Sequence, residues 1–216
     1  MDKNVRLYFV RHGETYFNKY GKMQGWSDTP LTEKGIAVAG QTGMVLKDVK
    51  FERIISSDLG RTIATANIIL GASACNSDKT VEQNPAFRES FFGSFEGSDS
   101  RSTYAELAGK AGVDARDFFS LGMEGISAVM KEHDPWHEAE SYDESLGRMK
   151  QGLEALVGEA GPGESNLLVV THGNVIRTLV HDIDPAVVVT VEIHNAGVTI
   201  ITYKHKQFLV ESFNQI

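Results

Sequence analysis

The chain has 216 residues, 41% hydrophobic and 23% charged, with a net charge of −8; that composition fits a globular protein and excludes a disordered or collagen-like chain. An acidic chain with no Lys/Arg-rich run has no general attraction for nucleic acid or an anionic membrane. Any field that holds an anion must therefore be local, which favours a small phosphorylated molecule as partner.

The length fits one α/β domain over residues 1–216, with room for an inserted cap. The single cysteine, Cys75, has no partner in the chain for a disulfide, and Met1-Asp2-Lys3-Asn4 lacks the basic and apolar regions of a signal peptide, so a cytoplasmic protein is expected. No apolar stretch approaches bilayer length; even VVVTVEI (187–193) is short and β-branched.

Val5 to Val10 reads as a first strand, and Arg11-His12-Gly13-Glu14-Thr15 emerges at its carboxyl end, where open α/β sheets do chemistry. Residues 14–30 are polar and read as a functional loop or short helix. Thr32 is a candidate N-cap for a helix whose face is traced by Ile36, Gly40, Gly43, Met44 and Lys47. Phe51 to Ser56 reads as a second strand and Asp58 to Leu70 as a second helix, and this repeated order implies a parallel sheet covered by helices. Residues 94–140, rich in Gly, Ser and acids with short helical pieces at 104–110 and 122–131, read as an insertion over the site. Ser141 and Glu144 match a capping box that opens a helix carrying Leu146, Met149, Leu153, Leu156 and Val157. Asn166 to Thr171 is a buried strand, His172-Gly173-Asn174 leads into a helix, and VVVTVEIHN, GVTIITY and FLVESF read as strands, the last two a hairpin.

Four segments carry chemistry. An imidazole held beside a guanidinium, as at Arg11-His12, suits capture of a phosphoryl group by nitrogen, with Gly13 letting backbone approach a ligand. Arg61 falls in the first turn of a helix, where amides and the dipole favour an anion; read alone it is either an anion clamp or a solvated arginine paired to Asp58. Thr171-His172-Gly173 repeats the strand-His-Gly design. Glu89 lies among Phe87, Phe91, Phe92 and Phe95, where a raised pKa suits a general acid; Glu96 competes for that role, and Arg88 could pair with either. His133 and His137 are four apart, but Pro135 between them argues against a helix presenting both rings, so a loop or lid is expected there. No metal or cofactor is implied. The aromatics Phe91, Phe92, Phe95, Phe118, Phe119 and Trp136 read as packing for the insertion rather than as a substrate pocket.

With those residues in view, the chain resembles the histidine phosphatase superfamily, in its phosphoglycerate-mutase-like branch. The resemblance rests on LYFVRHGETYFN, QGWSDTPLT, IISSDLGRTIATA, FRESFFGSFEG and VVTHGNVIR, in that order. It implies a three-layer α/β/α sandwich with a mostly parallel sheet and a small helical cap over about 94–140. It further implies that His12 is the nucleophile, that Arg11, Arg61 and His172 hold the phosphoryl group with Gly173 beside them, and that Glu89 is the proton donor. Asn18 and Gln24 look like further phosphate contacts. Mutases of the family carry Glu-Arg-His-Tyr-Gly where this chain has Glu89-Ser90-Phe91-Phe92-Gly93. Loss of that basic pair favours a metal-independent phosphomonoesterase over a cofactor-dependent phosphoglycerate mutase, and the arginines near His12, which disfavour its protonation, imply a mildly acidic optimum. A non-catalytic phospho-ligand-binding protein is the alternative of another class.

Overall fold

The computed structural model describes residues 3–215. In chain order it places β1 (Lys3–Arg11), α1 (Tyr16–Lys19), α2 (Glu33–Leu46), β2 (Arg53–Ser56), α3 (Gly60–Gly71), β3 (Val81–Gln83), α4 (Ser100–Lys110), α5 (Gly122–His133), α6 (Tyr142–Glu159), β4 (Gly163–Thr171), α7 (Gly173–Ile183), β5 (Val198–Lys204) and β6 (Gln207–Gln215). The six strands form one sheet in the order β3-β2-β4-β1-β5-β6. All pairings among β1 to β4 are parallel, and β5 alone runs against its neighbours.

Alternation along β1 sets the layers. Val5, Leu7 and Phe9 face one way and pack with Met149, Leu153 and Leu156 of α6 and Val175, Ile176 and Leu179 of α7. Tyr8 and Val10 face the other way, towards Leu46 of α2 and Ala66 and Ile69 of α3. The result is a three-layer α/β/α sandwich. Each buried Val, Leu, Ile or Phe contributes roughly 1.5–3 kcal/mol, so the two central strands, apolar on both faces, anchor the molecule. A third cluster of Met23, Leu107, Ala108, Phe118 and Met130 lies beneath α4 and α5 and includes no residue of the sheet.

The expected caps are present. Thr32 accepts from the Gly35 amide, and Ser141 with Glu144 forms a complete capping box. The face expected for α2 is only partly the buried one: Gly43 is buried, but Ile36, Met44 and Lys47 are exposed, and Gly35, Ala39, Thr42 and Leu46 are buried beside Gly43. Small side chains let α2 approach α3 closely, and backbone proximity rather than bulky apolar residues defines that contact. VVVTVEIHN is not a strand and pairs with neither edge of the sheet. It runs instead as irregular chain that buries Val189 and Ile193 and turns two carbonyls towards arginines. The three-residue strand β3 has no periodicity long enough to be read.

Candidate active site

Register brings the two strand-end histidines together. β1 and β4 are adjacent and parallel with Arg11 opposite Thr171, so His12 and His172 leave the sheet side by side with ring centroids 5.3 Å apart. The His12 amide donates to the Thr171 carbonyl at 2.9 Å, tying the two exits. Gly13 serves packing rather than ligand approach: a Cβ on it would stand 2.6 Å from the Gly35 carbonyl oxygen at the start of α2. Its amide donates to Thr65 of α3.

His12 is 3% exposed. Its Nδ1 lies 2.8 Å from the Gly13 carbonyl. A carbonyl only accepts, so Nδ1 carries the proton and the Nε2 lone pair is left for attack. Burial, reinforced by the guanidiniums of Arg61 and Arg11, holds the pKa of His12 well below its ordinary value. The ring is neutral, with its Nε2 lone pair free.

Arg61 is 1% exposed and is not the solvated partner of Asp58. It donates to the Gly25 and Ser27 carbonyls, to Asp28 and to Nδ1 of His172. Asp58 instead pairs with Arg88, which stacks on Trp26 with its guanidinium carbon 4.6 Å from the ring centroid. Arg11 donates to the Ile193 carbonyl. The Nε groups of Arg11 and Arg61 are sealed from solvent with no hydrogen-bond partner. A buried donor of this kind is costly unless an acceptor reaches it, and beside a neutral imidazole a phosphoryl oxygen is a fitting one.

The two acids separate by environment. Glu89 is 7% exposed and accepts from the amides of Ser90 at 2.9 Å and Asn174 at 3.2 Å. Burial raises its pKa despite those bonds and the nearby arginines, which favours the protonated form. Glu96 collects the amides of Gly25, Trp26, Ser27 and Phe92 and is a structural carboxylate that shapes the loop from which Arg61 takes its acceptors. Two further contacts fix the backbone of Glu89. The Trp26 indole donates to its carbonyl, as does Arg148, which also binds the Ala86 and Arg88 carbonyls and Glu140.

Asn18 and Gln24 stand nearby but are engaged with Thr15. The Asn18 side chain accepts from the Thr15 amide within the α1 capping box. Gln24 accepts from the Thr15 hydroxyl and donates to Thr29. Gly173 opens α7, and a Cβ there would make only an ordinary contact, 3.6 Å from Nε of Arg11. Ser57, Asp28, Asn174, Arg148 and Arg177 join the site without having been singled out. Asn174 and Arg177 sat inside the VVTHGNVIR segment, Asp28 inside QGWSDTPLT and Ser57 inside IISSDLGRTIATA, whereas Arg148 reaches the site only through folding. α5 ends at His133 and Asp134 stabilises the loop that follows, so His133 and His137 share no helix face. Among the described residues no three His, Cys, Asp or Glu side chains are grouped to hold a metal ion, and no helix is long and apolar enough to cross a membrane.

A mostly parallel α/β/α sheet that brings two neutral imidazoles, two guanidiniums and a buried carboxyl of raised pKa to one site defines a phosphoryl-handling protein. Residues 7–216 match the family described as histidine phosphatase superfamily (branch 1). The chain is 36% identical over 181 residues to a "Probable phosphoglycerate mutase GpmB" of Erwinia tasmaniensis, covering 83% of this chain and 74% of the relative. Among solved structures it is similar to a phosphoglycerate mutase from Bacillus anthracis, at 35% identity and TM-score 0.94 over 99% of this chain and 94% of that one. A mycobacterial glucosyl-3-phosphoglycerate phosphatase is similar at 25% identity and TM-score 0.77, covering 98% of this chain and 99% of that one. The chain belongs to the histidine phosphatase superfamily. The names of these relatives divide between mutase and phosphatase, both enzymes of phosphoryl transfer.

Proposed function

We propose that the protein is a metal-independent phosphomonoesterase that hydrolyses small phosphorylated metabolites through a phosphohistidine on His12. The observation that carries this reading is the pinned tautomer of His12: Nδ1–H held by the Gly13 carbonyl and a free Nε2 lone pair, flanked by two arginines with unpartnered Nε groups. In the first step the Nε2–P bond forms as the ester P–O bond breaks, and the proton of Glu89 passes to the departing alkoxide. In the second step water attacks phosphorus, the N–P bond breaks, and the Glu89 carboxylate takes the proton of the water. Arg11 and Arg61 neutralise charge on the equatorial oxygens, and such fixed electrostatics is the largest catalytic term in most enzymes of this kind. His172 keeps Arg61 and the His12 ring in place from the neighbouring strand end. Residues 94–140, carrying α4 and α5, serve as a cap over the alcohol side.

Hydrolysis is favoured over mutase action because Ser90 and Phe91 follow Glu89 and bring no charge to the alcohol side. A mutase has to hold a second phosphoryl dianion there while the first is returned. The test is phosphate release from p-nitrophenyl phosphate, sugar phosphates, nucleotides and phosphoglycerates in EDTA, with His12→Ala alongside. Rapid quenching and mass spectrometry follow the phosphohistidine. Release that survives His12→Ala, or a ring never phosphorylated during turnover, overturns the reading. Interconversion of 3- and 2-phosphoglycerate with a bisphosphate primer and no release of phosphate assigns the mutase instead.

A further inference from the structure

A cavity of about 310 Å³ lies between α5, the first turns of α7 and the chain at Ser90–Phe92. Ser90 and Asn174 both line it, and both donate their amides to the Glu89 carboxyl. The cavity therefore begins where the proton donor ends, on the side from which an alcohol departs. Most of its wall is apolar, including Phe91, Phe92, Met123, Ile126 and Met130. Phe91 and Phe92 are thus pocket walls as well as packing, and the exposed Phe119 stands at the edge of the same cavity.

One cation breaks the apolar lining. Arg177 donates to the Asn174 side chain and to the Val191 carbonyl, and its Nε is buried with no partner. Among the described residues no carboxylate forms an ion pair with it, whereas Arg61 has Asp28 and Arg88 has Asp58. A Cβ on Gly173 would lie 3.9 Å from Nη1 of Arg177 and 3.6 Å from Nε of Arg11, so Arg177 adjoins the phosphoryl clamp without belonging to it. Arg177 is half-buried, and the carboxylates of Glu89 and Glu192 act on it without forming an ion pair; a guanidinium partly desolvated in an apolar wall is stabilised further by an anion in direct contact. The transferring phosphoryl group is occupied by Arg11 and Arg61. Arg177 has two of its donor groups already engaged, and its single charge balances a monoanion better than a second phosphoryl dianion.

We propose, building on the phosphomonoesterase reading above, that the substrate is the phosphate ester of a hydroxy acid with an apolar body. Its carboxylate pairs with Arg177 and its body fills the cavity beneath α5. Arg177 then fixes the ester oxygen towards Glu89 and sets specificity, and the apolar walls exclude water from the departing alkoxide.

The experiment compares kcat/KM in EDTA for phenyl phosphate, 2- and 4-carboxyphenyl phosphate, glycerol 3-phosphate and 3-phosphoglycerate, with p-nitrophenyl phosphate as reference. The wild-type enzyme should favour one carboxyphenyl ester over phenyl phosphate and over 3-phosphoglycerate by about tenfold or more, the scale of one charge-assisted contact. Arg177→Gln should bring the carboxyphenyl-to-phenyl ratio close to one, and Arg177→Lys should restore part of it. Ile126→Trp, which fills the cavity, should remove the advantage over 3-phosphoglycerate. Hydrolysis of p-nitrophenyl phosphate with no carboxylate preference, or a ratio unmoved by Arg177→Gln in a folded variant, overturns this proposal alone. No hydrolysis of any ester overturns the phosphomonoesterase reading, and this inference falls with it.

Discussion

Nη2 of Arg61 lies 2.9 Å from Nδ1 of His172, and because a guanidinium only donates, the contact fixes His172 as its Nε2–H tautomer. That proton points to the Ser57 hydroxyl at 2.8 Å, which is itself bonded to Thr62. Both ring nitrogens of His172 are thus committed to protein groups. Burial and the neighbouring cations hold its pKa well below the ordinary histidine value, so the ring is neutral. Its part in the resting site is to orient Arg61. Ser57→Ala should leave the buried Nε2–H unpaired at a cost of about 1–3 kcal/mol, seen as a melting temperature lower by roughly 2–10 °C for a chain of this size. The ¹⁵N shifts of the imidazole should show the tautomer loosened. An unchanged melting point with an unchanged tautomer would contradict the chain Arg61–His172–Ser57.

In the proposed reaction Arg61 has a structural and an electrostatic task, and Arg61→Lys separates them. An ammonium cannot reach the Gly25 and Ser27 carbonyls, Asp28 and a phosphoryl oxygen from one rigid fork. The variant should lose on the order of 10²–10³ in kcat, comparable to removal of an oxyanion donor. Inorganic phosphate should also protect it against thermal unfolding less than it protects the wild type. Full activity in Arg61→Lys would remove this arginine from the phosphoryl clamp.

The neutral His12 and the raised Glu89 predict the pH profile. His12 must be unprotonated to attack, and its depressed pKa moves the acid limb below the usual histidine range. Glu89 must be protonated to act as acid, and burial moves the alkaline limb of the first step above the usual carboxyl range. Activity towards alkyl esters should peak on the acid side of neutrality, and a kcat/KM still rising above about pH 8 would contradict the assignment. Glu89→Gln should cost about 10²–10⁴ with alkyl phosphates. It should cost less when p-nitrophenolate, which departs without a proton, is the leaving group. An equal loss on both would mean that Glu89 does not protonate the alcohol.

Locally encoded features were legible and distant partnerships were not. The two strand-His-Gly exits follow from apolar runs that end at a functional residue, and Thr32 and Ser141 declare their helices because a cap acts within three residues. Glu89 and Glu96 are seven residues apart among the same aromatics. What distinguishes them is that one meets Gly25, Trp26 and Ser27 from another loop while the other is buried against Asn174 of α7. Arg61 finds Asp28 rather than Asp58 because the 24–28 loop folds over the start of α3. The β-branched run at 187–193 has the composition of a strand, but it joins neither edge of the sheet, and its Ile193 and Val191 carbonyls go to Arg11 and Arg177.

Asp134 ties the loop after α5 to the site, and its stability contribution should depend on pH. Its carboxylate is fully buried and accepts from the amides of Ser94, Glu138 and Ala139. Burial pushes this carboxyl up, and the hydrogen bonds from Ser94, Ala139 and Glu138 outweigh it, holding the pKa at about 2. A carboxyl depressed in the folded state stabilises above its unfolded pKa and loses that contribution as pH falls through the folded one. Asp134→Asn replaces one acceptor oxygen with an NH₂ that faces amide donors, so it should destabilise by about 1–3 kcal/mol at neutral pH. The difference in urea midpoint between wild type and variant should be full above about pH 5 and shrink as pH is lowered towards 2. The next residues, Ala139 and Glu140, line the cavity, and the Glu140 carboxylate accepts from the Phe91 amide. The variant should therefore raise KM for bulky esters more than it lowers kcat. A midpoint difference that does not vary with pH would show that the carboxylate charge of Asp134 is not what holds this loop.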